Sequence, residues 1–525
     1  MAYSVIIKNG LVFDGQGSPG RKTDIGIEGD QIAAVGDLSG EKGDMEIDAS
    51  GLYVAPGFID LTNHSDTHWT LFDQPGQASL LTQGITTILG GNCGSSLAPL
   101  INSSDIAAIG KWVDISKINV NWQKLSEFFE ELTRRPLALN FATLVGHETL
   151  RRAAGIDINR PATPEEIGKM SYLLYQALSD GAFGFSTGPS RSRESSADEE
   201  EMRQLLIQVK KANGFGAHHL ENEGPEVVSA VSRIAGFSRE LGVKGHISHF
   251  KVLGRKSWPK QETAFEIIER GQRDGLELTI DLFPYTATGS NLYYLLPEWA
   301  REGDKDAILE RLKDKNRREE IIAKLKIITL HYEKIIIAST LHDTDSAGKS
   351  IGTLAEISGR TPEELMIDLL LINDLHVSIF NENISEDNLA AAFKKDYAAV
   401  SSDGVGLGAK GPSYDLPHPR SFGAFARVFD IFVKQKKTIS WAEAIYKMTG
   451  LPAKILGLKN RGLIEKDAFA DIVVFDPEAV RDLADYQTPR QFSRGFRFVF
   501  VGGLAAVLEG TLTGEPAGRI LKKTE

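Results

Sequence analysis

Cysteine is almost absent from this sequence: Cys93 is the only one in 525 residues. That excludes an intrachain disulfide and any Cys-x-x-Cys zinc ribbon, and it suits a reducing compartment. Long apolar runs are also missing. A stretch such as Leu369-Leu370-Leu371-Ile372 is far too short to cross a bilayer. There is no excess of positive charge: 59 Lys and Arg stand against 71 Asp and Glu, a formal net charge of −12. Non-specific nucleic-acid binding depends on neutralising phosphates, so neither a nucleic-acid partner nor a membrane partner is expected. The first ten residues show no basic stretch followed by an apolar one, so a cytoplasmic location is expected. Internal repeats and low-complexity tracts are lacking as well. What is there is ordinary for a globular protein, with 42% apolar and 25% charged residues. The length suggests about three or four domain-sized units.

Both ends of the chain have a β texture. Val5-Ile6-Ile7-Lys8-Asn9-Gly10 reads as a strand running into an Asn-Gly turn, and residues 24–36 read as a second hairpin. The last sixty residues continue in this style, with Ile472-Val473-Val474-Phe475 and Phe498-Val499-Phe500-Val501. Residues 1–55 and 462–525 are therefore expected to pair into one small β-sandwich. Between them, strand candidates at 57–61, 85–91, 139–145, 181–186, 215–219, 245–250, 277–283 and 398–402 alternate with helical stretches such as 164–178 and 225–241. Repeated strand–helix units predict a parallel sheet, and eight of them predict a (β/α)₈ barrel over 56–461. An open doubly wound sheet is the alternative. The barrel is preferred because polar, reactive residues follow several strands scattered along the chain. Residues 286–345 break the alternation and read as an inserted helical or mixed subdomain, dense in charge from 301 to 326.

The strand ends carry the chemistry. Cys93 follows the second strand, His218-His219 the fifth, His249 the sixth and Asp403 the eighth. Each alone has a plain reading: a small buried hydrophobe, a hydrogen-bonded structural histidine (His218 and His246 included), a turn aspartate. Together, at the carboxyl ends of barrel strands, they converge on one face. One thiolate and two imidazoles match a catalytic zinc that keeps a position open for water, with ligand distances of about 2.0–2.3 Å.

An ordered series of motifs runs with these residues: Pro56-Gly57-Phe58-Ile59-Asp60, Gly91-Asn92-Cys93-Gly94, Val145-Gly146-His147, Asn222-Glu223-Gly224, Ile247-Ser248-His249, Pro284-Tyr285-Thr286-Ala287, Ser402-Asp403-Gly404 and His418-Pro419-Arg420-Ser421. In this series the chain resembles the N-acyl-D-amino-acid deacylases (D-aminoacylases) of the metal-dependent amidohydrolase superfamily, over nearly its whole length. The resemblance implies the same partition, a terminal β-sandwich, a barrel and a small insertion. It also implies hydrolysis of N-acyl-D-amino acids to a carboxylate and a free D-amino acid. By that likeness Cys93, His219 and His249 hold a tightly bound zinc, and Asp403 is the general acid–base. Arg420 grips the substrate α-carboxylate with its guanidinium fork, and Lys251 and Tyr285 assist.

Several departures qualify the resemblance. The superfamily opens with His-x-His after the first strand; here the residues are Thr62-Asn63-His64. His64 and His68 do not replace that pair, because strand facing alternates with period two. The loss argues against a stable binuclear centre, and one zinc per chain is expected, with His64 as an outer or transient ligand. Glu221 stands where relatives carry Arg, and either altered substrate preference or an altered salt bridge would follow. Strand four ends Phe185-Ser186-Thr187, without the carboxylated lysine of two-metal cyclic-amide hydrolases. Phe283 replaces a family tyrosine. Another amidohydrolase reaction, such as opening a cyclic amide, and a non-catalytic relative that binds a small carboxylate remain the competing readings.

Overall fold

Runs of aliphatic and β-branched residues, buried on both faces, form the strands of the central body in this computed structural model. It describes residues 3–109, 118–156, 160–188, 193–302, 305–328, 330–412 and 414–523. The strands are β1 (Phe58–Asp60), β2 (Ile85–Gly90), β3 (Asn140–Thr143), β4 (Gly184–Thr187), β5 (Phe215–His218), β6 (Lys244–Ile247), β7 (Leu278–Leu282) and β8 (Ala398–Val400). All six residues of β2 are buried, as a parallel strand covered on both faces requires. Neighbours pair in parallel within β1–β3 and within β4–β8. Two junctions complete the ring. Val145–Gly146, just past β3, pairs in parallel with β4, and the Phe183 amide donates to the Thr143 carbonyl (3.0 Å). At the other seam Asn63 bridges Gly404, the Asp403 amide donates to the Thr62 carbonyl (2.9 Å), and the His64 amide donates to the Gly404 carbonyl (2.8 Å). The result is the expected (β/α)₈ barrel, and its last seam is made by residues of the site itself.

The outer helices form where sequence signals place them. Pro164–Asp180 begins at a Thr163–Glu166 capping box with proline in its first turn, and ends at Gly181 in the left-handed region (φ 117°). Its buried face is Ile167, Met170, Leu173, Leu174, Ala177 and Leu178, at helical spacing.

The chain ends meet in one nine-stranded sheet. Ile472–Phe475 runs antiparallel to Tyr53–Pro56, and Tyr3–Val12 pairs with Arg21–Glu28, Gly43–Asp48 and Tyr53–Pro56. The hairpin read at 24–36 is present as Arg21–Glu28 against Gln31–Gly36. The Asn-Gly turn is not. Asn9 takes a left-handed conformation (φ 63°), but the strand continues to Val12 through a register shift, so this pair makes a bulge. A Cβ at Gly10 would lie 2.6 Å from Val54 Cγ2, which is why glycine sits there.

The insertion is a mixed unit. Ala287–Asn291 and Ile335–Thr340 both pair antiparallel with Val377–Glu382, flanked by helices Lys305–Lys313, Lys315–Ile327, Ile351–Ser358 and Pro362–Ile372. The excursion thus runs on past residue 345, because its central strand comes from 377–382. Its own buried cluster includes Leu292, Leu312, Ile337, Met366 and Leu370. No helix among the described residues is long and apolar enough to cross a membrane.

Phe58 ties barrel and terminal sheet together. Its ring stacks on Phe425 (5.8 Å), packs against Phe429 and meets Phe496 edge-on (6.2 Å), with no exposed surface. Phe58→Ala is expected to lower the unfolding free energy by about 3–5 kcal/mol in urea titration; a loss below about 1 kcal/mol would show that this contact is not holding the two units together.

Candidate active site

Left-handed backbone turns aim the key side chains. Cys93 (φ 51°), His249 (φ 39°) and Asp403 (φ 48°) lie two or three residues past β2, β6 and β8. Such conformations cost on the order of 1–3 kcal/mol each for non-glycine residues and persist only where the surroundings impose them. The loop at Cys93 shows how. Gly91 donates to Asp66 Oδ2 (2.6 Å), Asn92 Nδ2 to the Leu89 carbonyl (2.7 Å), and Gly94 to Ser186 Oγ (3.1 Å). A Cβ on Gly94 would overlap Glu194 Oε1 at 1.7 Å, so only glycine fits beside the cysteine.

Cys93 Sγ lies 3.2 Å from His249 Nε2, and His219 Nδ1 lies 2.9 Å from the same nitrogen. One ligand atom from each residue falls within 4.8 Å of the others. Burial opposes the Cys93 thiolate, but the positive charge of His249 and hydrogen bonds from His219, His249 and His64 outweigh it and hold the thiol well below its ordinary pKa.

Asp403 sits beside this cluster, buried. His64 Nε2 faces its Oδ1 (3.0 Å), and Arg420 Nη1 donates to its Oδ2 (2.5 Å). Burial opposes the Asp403 charge; Arg420, His249 and His64 more than compensate and keep its pKa well below the usual carboxylate value. His64 is pushed the other way, to about 10: burial disfavours its charge, and Asp403 and Cys93 override that. Arg420 opens the helix Arg420–Arg427 and lies over the Phe283 ring at 4.9 Å. Phe283 thus offers a cation–π face where a hydroxyl was missed from the sequence. Arg420 Nε is buried and has no hydrogen-bond partner among the described residues.

Cys93, His219, His249, Asp403, His64, Arg420 and Lys251 all line one cavity of about 370 Å³, the size of a small-molecule site. The inserted unit supplies its far wall through Thr288, Asn291, Tyr294, Ser339 and Phe380. Tyr285 is a correction. It was expected to give a phenol to the pocket, but it is buried outside the lining residues, and its hydroxyl donates to Asp482 Oδ2 (2.9 Å) because Asp482 and Arg427 form an ion pair beside it. Lys251 reaches the cavity wall with its ammonium on Glu223 and 2.9 Å from His249 Nδ1. Glu221 lies outside the cavity and pairs with Arg233 (2.6 Å), a half-exposed salt bridge.

Sequence reasoning assigned no role to Asp281. Fully buried, it accepts from Thr62 Oγ1 (2.7 Å), Ser401 Oγ (2.6 Å), the His249 amide (2.7 Å) and His246 Nε2 (2.8 Å). The Thr62 hydroxyl is therefore committed beneath the cluster. His218 is likewise structural. Its Nδ1 meets Thr187 Oγ1 (3.1 Å), and burial, followed by the charge of His246, lowers its pKa to about 3.

A (β/α)₈ barrel with a thiolate–imidazole cluster and a buried aspartate at the carboxyl ends of its strands defines the class of metal-dependent barrel hydrolases. The chain belongs to the amidohydrolase family, whose model matches residues 45–240 and 413–505. It is 30% identical over 522 residues to a D-aminoacylase of Alcaligenes xylosoxydans xylosoxydans, covering 99% of this chain and 98% of that relative. It also superposes, with a TM-score of 0.83 and 28% identity over 99% of this chain and 100% of the other, on an N-acyl-D-glutamate deacylase from Bordetella bronchiseptica. That enzyme was crystallised with zinc and a phosphonate inhibitor that mimics the tetrahedral intermediate. A D-aminoacylase structure with a binuclear metal centre, described by one-metal activation and second-metal attenuation, matches with a TM-score of 0.83 and 30% identity over 99% of this chain and 100% of that one.

Behind Cys93 lies a second buried network. His147 Nδ1 faces Glu194 (3.2 Å), His147 Nε2 faces Glu201 (2.6 Å), and Arg151 donates to Glu201 (2.5 Å). Burial disfavours a charged His147, but the hydrogen bonds to Glu194 and Glu201 outweigh it and raise its pKa to about 9. Because the folded value exceeds the unfolded one of about 6.5, this stabilisation is complete below about pH 6.5 and disappears as pH rises through about 9. The stability difference between wild type and His147→Asn in urea unfolding is expected to shrink between about pH 6 and pH 9.5. A difference independent of pH would contradict the charged form.

Proposed function

We propose that this chain is a zinc-dependent hydrolase of N-acyl-D-amino acids, acting with one metal ion on a small-molecule substrate. The observation that carries the reading is the Cys93–His219–His249 cluster sharing one cavity with the Asp403–Arg420 pair. The donor set fits zinc: one thiolate and two imidazole nitrogens, buried and mutually close, with a cavity on the open side. Bound there, zinc supplies Lewis acidity toward the amide carbonyl and the attacking water.

The rest falls to the protein's own groups. Asp403 takes the proton of the attacking water and passes it to the leaving nitrogen, so that water and amide become a carboxylate and a free amine. Arg420, which lines the cavity, offers its guanidinium fork to the substrate α-carboxylate. His64 holds Asp403 Oδ1 and fixes the orientation of the carboxyl. Lys251 supports the same wall through Glu223. A single ion is favoured because Thr62, in place of a first histidine, turns its hydroxyl to Asp281, and among the described residues the ligand cluster is Cys93, His219 and His249. Cyclic-amide opening by the two-metal route is disfavoured: at the end of β4, Ser186 bonds Gly91 and Gly94, and no lysine stands there. A cytoplasmic site of action suits a thiol ligand that must stay reduced.

Zinc-loaded protein incubated with paired N-acetyl-D- and N-acetyl-L-forms of Met, Leu, Glu and Asp is expected to release free amine from D-substrates only. Asp403→Asn is expected to lower that rate by about 10²–10⁴-fold with zinc content unchanged. Equal release from L-substrates, or full activity in Asp403→Asn, would overturn the proposal.

A further inference from the structure

Glu223 stands directly behind the metal cluster. It lies in the loop after β5, buried, and its backbone is pinned on both sides. The Asn222 side chain accepts from the Gly224 and Glu226 amides (2.9 and 3.0 Å), and the Glu223 carbonyl accepts from the Leu253 amide (2.7 Å). Its Oε1 faces the outward nitrogens of both histidines. His249 Nδ1 is 3.5 Å away and His219 Nε2 is 3.8 Å away. The inward nitrogens, His249 Nε2 and His219 Nδ1, are the pair that meet at 2.9 Å.

We propose that Glu223 is the shared positioning residue of both histidines, accepting from their outward N–H groups so that each ring presents its unprotonated nitrogen inward. The argument is one of tautomers. A neutral imidazole that gives one nitrogen to a metal carries its proton on the other, and that proton needs an acceptor; carboxylates commonly fill the role. His249 uses Nε2 inward and His219 uses Nδ1, so the two outward protons sit on chemically different nitrogens. One carboxylate oxygen between the rings serves both. Lys251 is the counter-ion. It also approaches His249 Nδ1 (2.9 Å), but its ammonium already has Glu223 and the His249 carbonyl (3.1 Å) as acceptors. It can therefore give up the ring nitrogen without being left unpaired.

This inference rests on the metal reading above, and its test reads metal affinity directly. Zinc alone is titrated into chelator-stripped protein against a competing chelator. Glu223→Ala is expected to weaken zinc binding by about 10–100-fold. Glu223→Gln keeps the shape but is a poorer acceptor, and a smaller, measurable loss is expected. The double variant Glu223→Ala/Lys251→Met, which removes the buried ion pair as a whole, is expected to bind zinc as weakly as Glu223→Ala. Cobalt substitution gives a second readout, in which the thiolate-to-cobalt band shifts in the Glu223 variants. Wild-type affinity in Glu223→Gln, or recovery of affinity in the double variant, would overturn the proposal and leave Glu223 as a mere counter-ion for Lys251. Should Glu223→Ala not fold, Glu223→Gln still decides. Failure of wild type to bind zinc would overturn the metal reading as well. Zinc binding that Glu223 controls, without amide hydrolysis, would remove only the assigned substrate.

Discussion

Three electron-pair donors, one thiolate and two imidazole nitrogens, are held within 4.8 Å of one another at the mouth of a parallel barrel. Unprotonated, they have nothing to offer each other, and a cation is the natural complement. The surroundings are built to hold that arrangement. Cys93, His249 and Asp403 are kept in left-handed conformations, and the groups around them take up the constraint: Asp66 and Ser186 around the cysteine loop, Asp281 on the His249 amide. Asp281 joins four elements at once, from Thr62 after β1 to Ser401 after β8. The barrel seam and the site are therefore one construction, since Asp403 and His64 make the backbone bonds that close the ring.

Much of this was legible in the sequence, for physical reasons. Parallel strands buried on both faces read as short aliphatic runs, so the eight strands stood out between amphipathic helices. Reactive residues at strand ends stood out because cysteine and clustered histidine are rare in that setting. Pairings across long sequence separations were not legible. That Asp281 would serve Thr62, 219 positions away, or that Tyr285 would turn to Asp482, 197 positions away, depends on packing no local pattern reports. The Asn9-Gly10 bulge is the local counterpart. The same two residues suit a turn or a bulge, and the pairing of Tyr3–Val12 with strands on both sides decides it.

The departures from the family pattern separate into those that touch the site and those that do not. Glu221 forms a half-exposed ion pair with Arg233, the kind worth at most about 1 kcal/mol, and it lies apart from the cavity. Phe283 keeps its place beneath Arg420 and Lys251 with its ring face as the contact. Thr62 is the consequential one. Its hydroxyl binds Asp281, and His64 is left to hold Asp403. A D-aminoacylase structure similar to this one has a binuclear centre; here Thr62 takes the first position of that motif, and the His64 and His68 rings lie 6.4 Å apart beside the same cavity.

The central claim is therefore a mononuclear centre held by Cys93, His219 and His249, and metal content tests it most directly. Elemental analysis of protein loaded with excess zinc and then freed of loosely bound metal is predicted to give one zinc per chain in the wild type and none in Cys93→Ala. Two ions per chain, or one ion retained without the thiol, would contradict it.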